Sequence, residues 1–368
     1  MDERVCSIAL TLCDGIGVIG AKTLIESVGS ASEIFKLRDS LRDVLPDISP
    51  KLIAALDNKE AQERAEREIA FAEQKGIQCL TLNDTRYPVR LKNCPDAPPI
   101  LFFKGHADLN RQHIVSIVGT RRCTEYGKSF CQKFVHELSE ACPDVIIVSG
   151  LAYGIDVQAH RAALSRNLST IGVLAHGLDR IYPSLHRQTA IQMLERGGLL
   201  TEYVTGTEPA RQNFLIRNRI VAGISDATIV VESFYKGGSL STANLALNYN
   251  RTCFALPGRI NDLSSEGCNR LIARNKAILL TSVDDFLEEL KWDKAVDRKT
   301  SAQGELFPEL NPEEQQVVDI LSQEPEPLHI NLLASLLEQP IHRVSSLLLE
   351  LEMKGVVKPL AGSLYKIV

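Results

Sequence analysis

Apolar residues fall in short unbroken runs along the middle of the chain, at 114–118, 145–149, 170–175, 198–202, 227–232, 252–256 and 277–280. Ile114–Val118 and Val145–Val148 do not alternate apolar with polar positions, so both read as strands buried on two faces of a parallel sheet. Helical stretches separate most of the runs, and from His113 onward the alternation predicts βαβ units and a doubly wound sheet. Ahead of it, Ile77–Leu82 and Ile100–Phe103 read as short strands flanking a turn-rich segment, Tyr87-Pro88 to Pro98-Pro99. Residues 59–75 are rich in helix formers and i,i+4 charge pairs, which predicts a solvated helix. Residues 7–35 predict two helices around Gly15, Gly17 and Gly20, with Ala21, Leu24 and Ile25 as the apolar face of the second. This pattern suits a helix-hairpin-helix whose free amides hold a phosphate, or a plain packed hairpin; Lys22 is the nearby cation. At the far end, 312–322, 328–337 and 341–354 predict three helices. A hairpin across Ala361-Gly362 follows them, which together predicts a winged helix.

Composition narrows the class. The chain has 368 residues, room for two or three domains, and is 44% hydrophobic and 24% charged, as ordinary folded proteins are. No apolar run reaches the ~18 residues of a bilayer span. Met1–Val5 lacks the basic and apolar parts of a secretion signal. The nine cysteines include no C-x-x-C pair, so no zinc site or disulfide framework is expected, and a cytoplasmic, reducing location fits. The net charge of −5 argues against bulk nucleic-acid binding, but it is unevenly spread. Residues 305–368 hold ten acidic and four basic residues, which leaves the body near neutral with local basic clusters.

Candidate chemistry gathers on glycine-bearing bends. Ser116-Ile-Val-Gly-Thr-Arg-Arg122 and Val148-Ser-Gly-Leu-Ala-Tyr-Gly-Ile-Asp156 each follow a buried strand and open a helix. In open α/β sheets ligands bind beyond the carboxyl ends of strands, where helix N-termini present free N–H groups. Arg121 and Arg122 therefore read as phosphate or nucleic-acid contacts; the alternative is a surface ion pair. A basic segment, Glu208-Pro-Ala-Arg-Gln-Asn-Phe-Leu-Ile-Arg-Asn-Arg-Ile220, carries Arg211, Arg217 and Arg219. On a helix, Phe214, Ile220 and Val221 are expected on the apolar side with the cations facing the cleft. An aromatic among cations suits single-stranded nucleic acid, with Phe214 as simple core the alternative. Lys236-Gly-Gly-Ser-Leu-Ser-Thr242 reads as a third rim loop whose Ser239 and amides contact phosphate. Asp156 and His160 share a helix face but lack a third ligand, so they read as a buried brace rather than a metal or acid/base site. Neither G-x-G-x-x-G nor G-x-x-x-x-G-K-[ST] is present. The presumed recognition helix, Ile341–Lys354, sets Arg343 and Lys354 against Glu350 and Glu352, which favours protein contact or packing over reading duplex DNA.

These residues resemble the DNA-processing protein A (DprA, or Smf) family. The match runs through Ser116–Arg121, Val148–His160, Gly177-Leu-Asp-Arg-Ile-Tyr-Pro183, Phe214-Leu-Ile-Arg-Asn-Arg-Ile220, Phe254-Ala-Leu-Pro-Gly258 and Glu266-Gly-Cys-Asn-Arg-Leu-Ile272, in the family's order over roughly residues 80–290. The resemblance implies an α/β fold: an extended Rossmann-like doubly wound sheet at 76–292, an N-terminal helical (helix-hairpin-helix/SAM-like) domain at 1–75, a linker at 293–311 and a winged helix at 312–368. It implies a protein that binds single-stranded DNA without cutting it, shields incoming DNA, and helps load the RecA recombinase in natural transformation, usually as a homodimer. No enzyme activity, cofactor, metal or membrane partner is expected. By motif, the DNA contacts fall at Gly119, Thr120, Arg121, Ser149, Gly150, Phe214, Arg217, Asn218 and Arg219. Arg122, Arg211 and Lys236 join them from the reading of the cations. Leu215 stands where the family commonly has proline, and Arg274-Asn-Lys-Ala replaces a usual glycine-alanine ending.

The rival reading is a nucleotide phosphoribohydrolase of the lysine-decarboxylase-like group, whose glycine loop leads to a catalytic glutamate. Here the corresponding place holds Asn244, and Glu232, at the end of its strand, is the substitute this reading needs for the acid/base step. A duplex-binding regulator is a third reading, weakened by the acidic tail.

Overall fold

A computed structural model describes residues 2–293, 310–323, 327–354, 356–360 and 363–367. The chain divides into two compact units, Met1–Ala295 and Val296–Val368. Most of the expected linker, at 294–309, lies outside the described residues.

The first unit opens with helices α1 (Glu3–Leu12), α2 (Val18–Val28), α3 (Ala31–Lys36), α4 (Leu41–Val44), α5 (Pro50–Ala55) and α6 (Lys59–Lys75). Asp2, Ser30 and Asn58 cap α1, α3 and α6, and Gly76 ends α6 in the left-handed region. The α1–α2 hairpin forms as expected, but Lys22 is buried and its Nζ lies 2.9 Å from Glu26 Oε1, so its charge is already matched. The α6 helix departs from the solvated helix expected. Ala61, Ala65, Glu68, Ile69 and Ala72 are buried along one face. Glu68 accepts hydrogen bonds from Thr205 N (2.9 Å) and Thr205 Oγ1 (2.6 Å), while Arg64 Nη2 donates to Thr205 O at 2.7 Å. Alanines at the buried positions let α1 approach closely, a packing signal hidden by the flanking charges.

The sheet that α6 leads into contains β1 (Gln78–Thr81), β2 (Ile100–Gly105), β3 (Ile114–Val118), β4 (Ile146–Ser149), β5 (Ser169–Val173), β6 (Gly198–Thr201), β7 (Ala227–Val230), β8 (Thr252–Ala255) and β9 (Ile278–Leu279). Their order across the sheet is β1-β2-β6-β5-β4-β3-β7-β8-β9. From β6 to β9 every pair is parallel, and β1 and β2 add antiparallel strands at one side. The helices are α7 (Val89–Lys92), α8 (Glu125–Ala141), α9 (Ile155–Ser165), α10 (Arg187–Arg196), α11 (Arg211–Gly223), α12 (Ser239–Asn248), α13 (Glu266–Ala273) and α14 (Val283–Leu290). β3, β4, β5 and β6 follow one another outward on one side, and the chain then crosses back to lay β7 against the free side of β3. The order reverses between β3 and β7, which makes that crevice the switch point where ligands enter such sheets. Apolar clusters pack both faces of the sheet. One gathers Val115, Ile117, Phe134, Ile147, Ile229 and Phe254 beneath α8 and α9, and the other includes Ile114, Val118, Val148, Ile220 and Val230.

In the second unit, α15 (Pro312–Gln323), α16 (Ile330–Leu336) and α17 (Ile341–Met353) surround a core of Val317, Leu321, Leu333, Val344 and Leu348. Strands β10 (Leu328–His329), β11 (Val357–Leu360) and β12 (Leu364–Ile367) form a small antiparallel sheet in the order β10-β12-β11. The winged helix is therefore present, with one change. Leu328 and His329, expected in the second helix, pair with Tyr365 and Leu364 of the wing instead. Among the described residues no helix is long and apolar enough to cross a membrane, and no cluster of His, Cys, Asp or Glu is placed to hold a metal ion.

Candidate nucleic-acid interface

The bends after β3, β4 and β7 meet the N-terminal half of α11 around a cleft of about 650 Å³ at the switch point. Ten of the twelve residues expected to touch DNA line it: Gly119, Thr120, Arg121, Arg122, Gly150, Arg211, Phe214, Arg217, Asn218 and Lys236. The backbone holds the bends together. Thr120 N donates to Glu232 O at 2.7 Å, joining the first bend to the end of β7, and Ile155 N donates to Thr120 O at 3.2 Å, joining it to the second. Gly154 sits at φ +78°, and a Cβ there would fall 2.1 Å from Thr120 O, so the two bends approach as closely as main chain allows. At Gly150 a Cβ would fall 2.2 Å from Arg217 Nη1, so the absent side chain is what admits that guanidinium.

Charge in the cleft is unbalanced. Arg121, Arg122, Arg211 and Lys236 are exposed, and among the described residues none makes an ion pair. The lining carboxylate is Asp156, whose Oδ2 accepts from Ala152 N at 3.4 Å. Burial pushes the Asp156 carboxyl above its ordinary range, and the nearby Arg217 charge pulls it back. Arg217 is itself buried; Nη1 donates to Val173 O, and Nε has no hydrogen-bond partner among the described residues. Two helices add to the excess. α11 and α12 start at this cleft without a side-chain cap and without an acidic residue in the first turn. Cations beside those positive helix ends are unfavourable until an anion arrives.

Phe214 is half-buried and belongs to the cleft rather than to the core. The Arg121 guanidinium carbon lies 5.1 Å from its ring centroid, and Tyr182, part of the family stretch Gly177–Pro183 but given no role from sequence, is 5.9 Å away ring to ring. Phe234 also lines the cleft without having been singled out, and so do Leu215, noted only as standing in place of a proline, and Thr242, noted only as the end of the third rim loop. The nearest sequence signal for Phe234 is its place just after a parallel strand, where the rim of such a cleft must lie.

Two expected contacts lie elsewhere. Ser149 is fully buried at the end of β4 and its Oγ donates to Ile117 O at 2.6 Å, stitching β4 to β3. Arg219 is buried away from the cleft, donating to Asp96 O at 2.8 Å and pairing with Glu202. On a helix Arg217 and Arg219 are ~200° apart, so both cannot face one cleft. The brace expected of Asp156 and His160 holds in part: Asp156 ties down the bend through Ala152 N, whereas His160 reaches β5 instead. His160 Nδ1 lies 2.7 Å from Thr170 Oγ1, whose hydroxyl donates to Ile147 O at 2.8 Å. Burial drives the His160 pKa down to about 3, so the ring is neutral.

The residues on which the rival enzyme reading depends are occupied elsewhere. Glu232 is buried, and its carboxylate accepts from Thr124 N at 2.9 Å and Thr124 Oγ1 at 2.5 Å, closing the start of α8. Asn244 is exposed and accepts from Lys276 Nζ at 3.3 Å.

Residues 78–291 match the family profile described as DNA recombination-mediator protein A, and residues 302–363 match the DprA winged helix domain. Protein Smf of Synechocystis sp. is 34% identical over 283 residues, covering 76% of this chain and 71% of the relative. The X-ray structure of DNA processing protein A from Streptococcus pneumoniae superposes with a TM-score of 0.58 at 30% identity, over 74% of this chain and 98% of that one. DNA processing protein A from Helicobacter pylori, described for its single-stranded DNA binding mode, superposes at 0.53 with 32% identity over 58% and 95%. With a profile matched over more than half its length and a one-third-identical relative over three quarters of it, this chain belongs to the DNA recombination-mediator protein A family.

Proposed function

We propose that the chain binds single-stranded DNA in the cleft between the bends and α11, shields it, and presents it to the RecA recombinase during natural transformation and recombination. The observation that carries the reading is the set of four exposed cations, without an ion pair among the described residues, around a half-buried phenylalanine at the switch point. Phosphates would meet Arg121, Arg122, Arg211 and Lys236, with the free N–H groups of α11 and α12 behind them, while a base stacks on Phe214. Gly119, Thr120, Gly150 and Asn218 supply close approach and polar contacts. Membership of the family, and the single-strand binding named for the Helicobacter pylori relative, support the substrate class. Action as a homodimer in the cytoplasm is part of the same reading.

The role is binding, not catalysis. The lining carboxylate, Asp156, is buried and engaged with the bend, and Glu232 closes α8, so among the described residues that line the cleft no free carboxylate is placed for acid/base chemistry at a nucleotide. The winged helix is assigned to protein contact. Arg343 is spent on Glu313 and Lys354 on Glu314, which leaves its third helix few cations for duplex phosphates.

The test is electrophoretic: a labelled dT oligonucleotide and the matching duplex, each with the purified chain. Preferential retardation of the single strand, recovered at full length, supports the reading. Equal or stronger duplex binding, or shortened product, contradicts it.

A further inference from the structure

Tyr235 stands at the rim of the cleft, between Phe234 and Lys236, which both line it. Its side chain is 45% exposed, and the Arg270 guanidinium carbon lies 4.2 Å from its ring centroid. A ring this open contributes little to the core. A ring backed by a cation and open to solvent is what a nucleobase stacks on.

The platform is held in place before any ligand arrives. Ser233 N donates to Ser264 O at 2.7 Å, Gly267 N to Ser233 O at 2.8 Å, and Gly237 N to Phe234 O at 2.9 Å, so the turn that carries Tyr235 is bolted to the start of α13. Arg270 follows Asn269, whose side chain accepts from Gly258 N at 3.1 Å and donates to Gly258 O at 3.0 Å. Rigid partners lose little freedom on binding. Among the described residues Arg270 has no carboxylate partner, so its charge stays available to a phosphate beside the base.

We infer that Tyr235, backed by Arg270, is a second base-stacking position, which takes a nucleobase of the strand adjacent to the one held at Phe214. The inference rests on the single-strand reading of the cleft and extends the path of the strand toward α13. Stacking uses the π-face common to all bases, so the position has little sequence preference.

The experiment measures affinity for a dT oligonucleotide of about 20 nucleotides, long enough for one binding site of this kind, with wild type, Tyr235→Phe, Tyr235→Leu and Arg270→Gln. Tyr235→Leu is expected to weaken binding roughly five- to a hundredfold, the usual worth of one stacked base. Tyr235→Phe stays within about twofold of wild type, because the ring is kept, and Arg270→Gln falls between the two. In parallel, a strand carrying 5-iodouracil is irradiated with the wild-type chain, and the crosslink is expected on Tyr235; this arm stands even if a variant folds poorly. Wild-type affinity in Tyr235→Leu, an equal loss in Tyr235→Phe, or a binding chain that crosslinks without Tyr235 overturns the inference. A wild-type chain that does not bind the oligonucleotide overturns the single-strand reading itself, and this position with it.

Discussion

Replacing Gly154 with alanine tests whether the first two bends form one rigid ligand-holding unit. Gly154 has φ +78° and ψ −129°, a region that side chains enter at a cost of ~1–3 kcal/mol. The new Cβ would lie 2.1 Å from Thr120 O and 2.8 Å from Arg121 Cα. Both are main-chain atoms, so no side-chain rotation relieves the overlap, which adds ~1–3 kcal/mol as overpacking. The bends must part, weakening the 3.2 Å hydrogen bond from Ile155 N to Thr120 O, worth ~1 kcal/mol net. Together these give about 3–7 kcal/mol, a large share of the ~5–15 kcal/mol that holds a typical domain. Urea unfolding can be followed through Trp292, the chain's one tryptophan, which packs 5.7 Å from Phe286 in the first unit. The midpoint should fall by the equivalent of several kcal/mol. Where the variant remains folded, oligo-dT affinity should drop more than about tenfold, because moving Thr120 and Arg121 disperses the site. A stability within about 1 kcal/mol of wild type, with unchanged affinity, would refute the reasoning.

Three other substitutions separate structure from binding. Arg219→Met strands Glu202 in a buried position and should cost ~3–5 kcal/mol in urea unfolding, while the salt dependence of DNA binding stays as in wild type. Glu232→Ala removes the acceptor for Thr124 N and Oγ1 and should destabilise by ~1–3 kcal/mol; oligo-dT affinity, measured by anisotropy, should not change. His160 predicts an acid sensitivity. Its folded pKa, about 3, lies below the unfolded value near 6.5, so its contribution is complete above about pH 6.5 and is lost as pH falls toward 3. At pH 5.5 the loss is ~1.4 kcal/mol relative to pH 7.5, and a His160→Gln chain should lack this component in paired unfolding curves.

The sheet was legible because parallel strands buried on both faces must be apolar without alternation, as Ile114–Val118 is. The winged helix was legible because its helices show a helical period. Burial alone did not separate the uses of the cations. Arg217 and Arg219 both read as ligands, yet the helix turn sends one beneath Gly150 and the other to Glu202, a residue just past the end of β6. Ser149 was misread for a related reason: the last residue of a strand still points one way or the other, and here it points into the sheet. Tyr235 went unnoticed and Tyr182 was quoted without a role, since a loop has no period against which an exposed ring stands out. α6 shows the opposite failure. Its charges suggested solvent on every side, while Glu68 was needed by the backbone of Thr205, far along the chain.

The central claim, that exposed cations of the cleft hold the phosphates of a single strand, is tested most directly by salt dependence. Arg121 and Lys236 are both exposed, so Arg121→Ala/Lys236→Ala should leave the fold intact. Each phosphate contact to a single strand contributes ~0.7 to the slope of log affinity against log salt. The double variant should bind oligo-dT more weakly and with a slope shallower by about 1.4. A slope identical to wild type, with unchanged affinity, would place the strand somewhere other than this cleft.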